Sequence, residues 1–326
     1  MPAVELPLDE LQARLAPLRV AGIRRLAGGA SSLTYAGTTP GGREVVVKVA
    51  PAGVPPVLNR DVLRQARVLR ALGGTGVPVP EVLWEDGGNP PGVPPLFVMS
   101  FVAGTSLEPL FDLDLDGGDD DDVATVAERM RSAARAMAAL HAVDPNAIGL
   151  GREPVVGPAE EVERWCRLLE TVDAALAPRW EDVASALRAA EPVALPGAVV
   201  HGDFRLGNLL ATGASITAII DWEIWTIGDP RVDLGWFLVN ADPDTYGRPT
   251  RYAGTLPSPR ELATIYGDVP GLGWFEALAC FKSTATWSLI VKHNRRRPSP
   301  DTDVEGMAGV LPHLLDRSRI LLSMHP

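Results

Sequence analysis

His201-Gly202-Asp203-Phe204-Arg205-Leu206-Gly207-Asn208, followed by Leu209-Leu210 and, after the run Ile216 to Ile220, by Asp221-Trp222-Glu223, is the stretch on which the fold turns. Asp203, Asn208 and Asp221 fall within about twenty residues, each beside a run that reads as a buried strand. Moving a phosphoryl group needs a carboxylate to orient and deprotonate the attacking hydroxyl, and hard oxygen ligands to hold magnesium against the phosphates. Asp203 suits the first task, Asn208 and Asp221 the second. A polar turn joining two core strands, its carboxylates solvated or capping, is the plainer alternative. One Asp and one Asn would allow it; the whole string argues against it.

Protein kinases carry H-R-D-x-x-x-x-N and then D-F-G. The spacing from Asp203 to Asn208 is the same, with Gly202 in place of the Arg and Trp222-Glu223 in place of Phe-Gly. With H-G-D-x-x-x-x-N and I-D-W-E the chain resembles the aminoglycoside phosphotransferase family, a branch of the kinase-like fold that also includes choline and homoserine kinases. The resemblance implies an α+β, two-lobed protein-kinase-like fold with a small β-rich N-lobe and a mainly helical C-lobe. It also implies ATP and Mg2+ as cofactors and a small-molecule alcohol as acceptor. The string Gly28 to Tyr35 together with I-D-W-E looks most like the kinase domains fused to acyl-CoA dehydrogenases, which act on hydroxyacyl groups. That favours a metabolic alcohol over an antibiotic.

The chain has 326 residues, enough for two lobes and a substantial core. A net charge of −11 offers no basic surplus for a phosphate backbone, so no nucleic-acid partner is expected. The acidity fits a cationic substrate, although acidity often serves solubility alone. Cys166 and Cys280 are too few for a disulfide framework or a cysteine metal site. The opening MPAVELPLDE lacks a secretory pattern and no stretch is apolar enough to span a membrane, so a cytoplasmic location is expected.

Along the chain, Leu8, Leu11, Leu15 and Leu18 predict a short amphipathic helix over 8–20. Gly28-Gly29 with Ser31-Ser32 then form a tip whose backbone N–H groups, at Gly29, Ser31 and Ser32, can approach phosphate oxygens. Gly41-Gly42 predicts a hairpin turn before Glu44-Val45-Val46-Val47-Lys48-Val49. Lys48 is a lone cation in an apolar strand, where an unpaired charge is costly. Kinases keep their phosphate-gripping lysine on such a strand; a lysine on an edge strand, pointing to water, is the alternative. A helix from about Val57 to Leu72 should carry the partner of Lys48. Relatives usually have Glu where this chain has Gln65, and Asp61, one turn earlier on the same face, competes for the role. Leu83 to Glu85 and Leu96 to Met99 read as strands around a Pro/Gly-rich loop. By analogy with the family, the Ser100 carbonyl and the Val102 amide read the adenine edge at a hinge.

Asp112 to Asp122 is strongly acidic and reads as a solvated loop, with attraction of a polycation as a second use. Val123 to Val143 has the period of an amphipathic helix, and helices are expected over 158–176 and 179–190. His201 is read as a brace for the loop and Arg205 either as a neutraliser of transferred charge or as a solvent-facing side chain. Asp229 before Pro230 suits a helix N-cap, and Asp233 is expected to tie down the catalytic loop. Residues 240–259 read as a substrate-side loop. The helix from Trp274 to Lys292 ends in Lys292 to Arg297, cations that complement its dipole or take an anionic substrate. A final helix is expected near Val304 to Ser323.

The expected division is an N-lobe over 1–99, a hinge over 100–104 and a C-lobe over 105–326. Within it Asp203 and Arg205 are the candidate catalytic residues, Asn208 and Asp221 the candidate metal ligands, and Lys48, Gly29, Ser31, Ser32, Gln65, Ser100 and Val102 the candidate nucleotide contacts. The competing reading, prompted by Gln65, is a nucleotide-binding pseudokinase or scaffold without phosphotransfer.

Overall fold

The structure, a computed structural model, describes residues 6–26, 32–111, 122–248 and 250–324. Strands β1 (Ala21–Arg25), β2 (Leu33–Thr38), β3 (Glu44–Val49), β4 (Val82–Asp86) and β5 (Leu96–Ser100) make an antiparallel sheet in the order β1-β2-β3-β5-β4. β2 and β3 form the expected hairpin, in register from Leu33↔Val49 to Thr38↔Glu44. Gly42, at φ +76°, supplies the left-handed residue of its turn.

The unbroken valine run of β3 is explained by burial on both faces. Val45, Val47 and Val49 pack with Leu11 and Leu15 around helix α1 (Leu8–Arg14). Val46 joins Phe97, Met99 and the apolar side of helix α2 (Val62–Leu72). Side chains alternate along a strand, so Lys48 shares the face of Val46, under α2.

In the small lobe two helical boundaries differ from expectation. α1 stops at Arg14, and a 3₁₀ turn over Ala16–Leu18 completes that segment. α2 begins at Val62 rather than near Val57, because the Asp61 carboxylate accepts the Arg64 N–H at 3.0 Å and caps the helix there.

The larger lobe is built on helices α3 (Val123–His141), α4 (Pro158–Leu169), α5 (Trp180–Ala189), α6 (Arg231–Val239), α7 (Pro259–Tyr266), α8 (Leu272–Asn294), α9 (Thr302–Gly306) and α10 (Leu311–Met324). Its short strands are β6 (Val155–Val156), β7 (Ala198–Val200), β8 (Leu209–Thr212), β9 (Ser215–Ile219) and β10 (Thr226–Gly228). β6, β10 and β7 form one small sheet, and β8 and β9 form a hairpin. The helix expected over 158–176 ends at Leu169, and the one expected over 304–323 is split into α9 and α10 by a 3₁₀ turn, Met307–Gly309, between two glycines. Residues 240–259 are held more firmly than a loop reading implies, since Tyr246 and Tyr252 are buried. The acidic run falls largely on 112–121, outside the described residues.

α8 is the central column of this lobe, buried along most of its length and packed against α4, α6 and α10. α6 comes close to α8 at Gly235, where an added Cβ would stand 2.6 Å from the Phe275 backbone. One core runs from Val46, Leu69, Phe97 and Met99 of the small lobe to Phe204, Trp222, Trp225 and Leu234 of the large one. No helix among the described residues is long and apolar enough to cross a membrane.

Because backbone cannot yield as a side chain tip does, Gly235→Ala should lower the unfolding free energy by about 1–3 kcal/mol. Urea titration of the variant against the wild type is the measurement, and an unchanged midpoint would mean that α6 and α8 can part freely.

Candidate functional site

β7 delivers the chain to a loop whose form is dictated by one buried carboxylate. Asp233, on the first turn of α6, accepts the His201 N–H at 2.6 Å and the Gly202 N–H at 2.8 Å. His141 Nε2 lies 3.2 Å from the same carboxylate and its Nδ1 2.8 Å from the Tyr266 hydroxyl. Burial opposes the charge of Asp233, but these donors outweigh it and hold its carboxyl below the usual range. Gly202 sits at φ +85°, and a Cβ there would meet the Ile224 carbonyl oxygen at 2.7 Å, so only glycine makes this turn.

His201 is fully buried: its Nε2 lies 2.9 Å from the Ile220 carbonyl oxygen, and its Nδ1 accepts the Asp203 N–H at 3.1 Å. It braces the loop, as expected. Asp203 then presents a carboxylate with three donors on it. Trp236 Nε1 reaches Oδ1 at 2.8 Å, Asn208 Nδ2 reaches Oδ2 at 2.8 Å, and Arg205 Nε lies 3.3 and 3.4 Å from the two oxygens.

Asn208 closes the 3₁₀ turn Leu206–Asn208 and leads straight into β8. Hairpin register pairs Leu209 with Ile219, and the Ile220 N–H donates to the Asn208 carbonyl at 2.9 Å. Asp221 is thereby brought beside Asn208. The Asn208 amide nitrogen is committed to Asp203, which leaves its Oδ1 as the atom offered to a cation. Asp221 itself lies at φ +65°, a conformation that is strained for a residue with a side chain and characteristic of functional positions.

Across the cleft, Lys48 Nζ meets Asp221 Oδ1 at 2.9 Å and Gln65 Oε1 at 3.2 Å. The choice between Gln65 and Asp61 thus falls to Gln65, Asp61 being engaged as the cap of α2. Burial pushes the Asp221 carboxyl up, but Lys48 first, then His201 and Arg205, together outweigh it and hold the carboxyl below the ordinary range. Lys48, Gln65, Phe97, Met99, Asp221 and Trp222 line one cleft between the lobes. Gln65 Nε2 is buried there without a partner among the described residues.

α2 is fastened to the segment after Asp221. The Arg64 guanidinium lies 4.0 Å from the Trp225 ring centroid and donates to the Trp225 carbonyl at 2.8 Å, while Trp225 Nε1 returns a bond to the Arg64 carbonyl at 3.1 Å. Of the remaining candidates, Ser32 is buried with its Oγ unpartnered among the described residues, and Ser100 ends β5, its N–H bonded to the Glu81 carbonyl at 2.8 Å. Val102 follows two residues on. Gly29 and Ser31 lie outside the described residues.

Arg205 is neither free nor solvent-facing: its Nη1 donates to Glu108. Burial works against the guanidinium charge, yet Asp203 and Glu108 together hold its pKa above the normal arginine value. Glu108 is pushed up by burial despite Arg205. Asp229 accepts the Arg231 N–H at 3.0 Å at the start of α6, but Pro230 holds the N-cap, and the Asp229 carboxylate pairs chiefly with the buried Arg231 side chain, 2.7 Å away.

Three residues of the site escaped sequence reasoning: Glu108, Trp236 and Lys282. Lys282, in the middle of α8, is buried; its ammonium donates to the Gly202 carbonyl and stands 3.7 Å from the centroid of Trp236. Such a desolvated cation–π contact is worth roughly 2 kcal/mol. A lysine in the middle of a largely apolar helix was the available signal, akin to the one that singles out Lys48 in its strand.

The donor set suits magnesium. Asp221 and Asn208 Oδ1 are hard oxygens. Among the described residues no group of three or more His, Cys, Asp or Glu side chains stands ready to hold a metal. Magnesium fits such a site, since it is usually bound by one or two carboxylates and completed by water and substrate phosphates.

The model of the phosphotransferase enzyme family matches residues 22–263. Among curated proteins the chain is similar to acyl-CoA dehydrogenase family member 11 of Gallus gallus, 27% identical over 291 residues, which is 82% of this chain and 36% of that one. Acyl-CoA dehydrogenase family member 10 of Mus musculus is 27% identical over 199 residues, 60% of this chain and 18% of the relative. The chain therefore spans only about a fifth to a third of the length of these relatives. Among solved structures, a Ralstonia eutropha protein provisionally called an aminoglycoside phosphotransferase aligns with a TM-score of 0.75 at 21% identity, over 99% of this chain and 100% of that one. The aminoglycoside phosphotransferase APH(4)-Ia, in a ternary complex with ADP and hygromycin B, aligns with a TM-score of 0.61 at 16% identity, over 97% of each chain. These likenesses establish the kinase-like fold, a small antiparallel-sheet lobe on a helical one.

The depressed carboxyls of Asp229 and Asp233 set a direction for acid stability. A folded-state pKa below the unfolded value, near 3.9, stabilises fully above that value and is lost as the pH falls through the folded one. Unfolding free energy measured from pH 6 to pH 3 should therefore fall. Asp233→Asn should start about 3 kcal/mol lower and decline less steeply; an unchanged slope would mean that Asp233 is not the group being titrated.

Proposed function

The chain belongs to the phosphotransferase enzyme family, and from that premise we propose that it moves the γ-phosphoryl group of Mg-ATP to an alcohol hydroxyl of a small molecule. The observation that carries this reading is the meeting of Lys48 and Asp221 at 2.9 Å, one from each lobe, with Asn208 beside Asp221. The division into residues 1–99, 100–104 and 105–326 is part of the proposal, with Ser100 and Val102 at the adenine edge. Gly29, Ser31 and Ser32 are proposed as phosphate contacts, and Lys48, steadied by Gln65, as the grip on the α- and β-phosphates.

In this scheme Asp203 orients the acceptor hydroxyl and takes its proton as the new oxygen–phosphorus bond forms. The bond from the γ-phosphorus to the bridging oxygen breaks, and its electron pair leaves with ADP. Asn208 and Asp221 would hold magnesium, whose charge offsets that of the phosphates. Arg205, tethered by Glu108, lies beside Asp203 to offset the charge that develops during transfer. The donors on Asp203 hold its carboxylate in place before the acceptor arrives, so catalysis is positioning plus charge stabilisation.

The acceptor is assigned to the metabolic alcohols, with hydroxyacyl thioesters first. The kinship with proteins named as acyl-CoA dehydrogenase family members supports that class. A net charge of −11 favours cationic acceptors instead, which keeps aminoglycosides in the trial set.

ADP release should be screened with hydroxyacyl thioesters, choline-like amines, aminoglycosides and macrolides, alongside calorimetry with Mg-ATP. Asp203→Asn should lose on the order of 100- to 10,000-fold in kcat while keeping nucleotide affinity, and Lys48→Met should weaken nucleotide binding itself. Turnover equal to wild type in Asp203→Asn for every acceptor would leave a nucleotide-binding protein without transfer.

A further inference from the structure

The transfer scheme above leaves Lys282 without a task, and its surroundings are unusual for a cation. No carboxylate pairs directly with it among its described contacts. The ammonium is caged by the Trp236 ring at 3.7 Å and the Trp165 ring at 5.5 Å, and donates to the Gly202 carbonyl. Two of these three partners lead to the same place. The Gly202 carbonyl belongs to the peptide whose nitrogen is that of Asp203, and Trp236 Nε1 donates to Asp203 Oδ1 at 2.8 Å. A positive charge over the face of an indole draws electron density from the ring and makes its N–H a better donor. Gly202 itself lies at φ +85°, where an added Cβ would meet the Ile224 carbonyl oxygen at 2.7 Å.

We propose that Lys282 is a positioning residue for phosphoryl transfer, setting the direction of the Asp203 carboxylate through the Gly202 peptide and the Trp236 ring. The proposal rests on the phosphotransfer reading for its functional half, while the coupling of Lys282 to Trp236 stands on geometry alone. The charged groups facing the ammonium are Asp203 of the loop, Glu161 and Arg164 of α4 and Asp233 of α6. Burial pulls the Lys282 pKa down to about 8, with Asp203, Glu161 and Asp233 opposing the fall. Below that pH the cage holds a cation; above it the amine is neutral and the pull on the indole is gone.

The test pairs Lys282→Met, which removes the charge, with Lys282→Arg, which makes it permanent. The indole N–H resonance of Trp236, assigned by its loss in Trp236→Phe, is followed by NMR from pH 6.5 to 9.5. It should titrate in the wild type with a midpoint near 8 and stay flat in both Lys282 variants. With an active acceptor at pH 7, Lys282→Met should lose on the order of 100-fold in kcat with nucleotide Kd within about twofold. Lys282→Arg should recover most of that loss and keep its kcat through the alkaline limb. A flat wild-type resonance, or an unchanged kcat in Lys282→Met, overturns the proposal. If Lys282→Met does not fold, the wild type and Lys282→Arg decide it. If no acceptor turns over, a titrating indole upholds the coupling and places the failure with the transfer reading.

Discussion

An ammonium buried in an apolar strand needs compensation, and much of this fold is arranged so that Lys48 finds an anion. Its strand lies inside a sheet covered on both faces, where an unpaired ammonium would cost several kcal/mol. The amide of Gln65 offers an acceptor but no charge. The compensating carboxylate therefore comes from the other lobe, on Asp221, and the core running between the lobes keeps it there. In a chain with Glu at the position of Gln65, the lysine would have a neutralising partner within its own lobe. Here the ion pair itself spans the cleft, so the join between the lobes and the candidate chemistry are one interaction.

Behind this pair lies a second layer of restraint centred on Asp203. Asp233 turns the loop by taking two successive backbone N–H groups, and His201 links the loop to Ile220 just before Asp221. The β8–β9 hairpin then sets Asn208 beside Asp221 by strand register. Asp233, His201 and Asn208 are buried and hydrogen-bonded within the chain, and such bonds are how a polar network rigidifies a site. The loop is thus fixed by bonds within the chain.

The legible part of this molecule was whatever is written locally. Asp203, Asn208 and Asp221 stand in one short string, and Lys48 betrays itself as a lone charge among valines. The hairpin at Gly41-Gly42 and the long helix α8 follow from turn residues and period. Glu108 and Trp236 were not legible, because the meaning of each depends on a partner far away in sequence: Arg205 for the first, Asp203 for the second. Lys282 was passed over because the helix was read as apolar along its length, and attention went to the cations at its end. The role of Asp61 turned on one hydrogen bond to Arg64 that fixed where α2 begins, and no pattern of side-chain types distinguishes a cap from a charge partner one turn away.

The reciprocal clasp of Arg64 and Trp225 has a consequence for control. In many kinase-like proteins activity is governed by whether the helix bearing the lysine's partner swings in or out. Here that helix is latched on both sides of one indole, by a stacked guanidinium and two bonds to main-chain oxygens, and Arg64 also reaches Glu153 at 3.6 Å. A clasp of this kind resists any swing of α2 away from the cleft, so the contact of Gln65 with Lys48 is secured by a side chain, Trp225, that does not itself line that cleft.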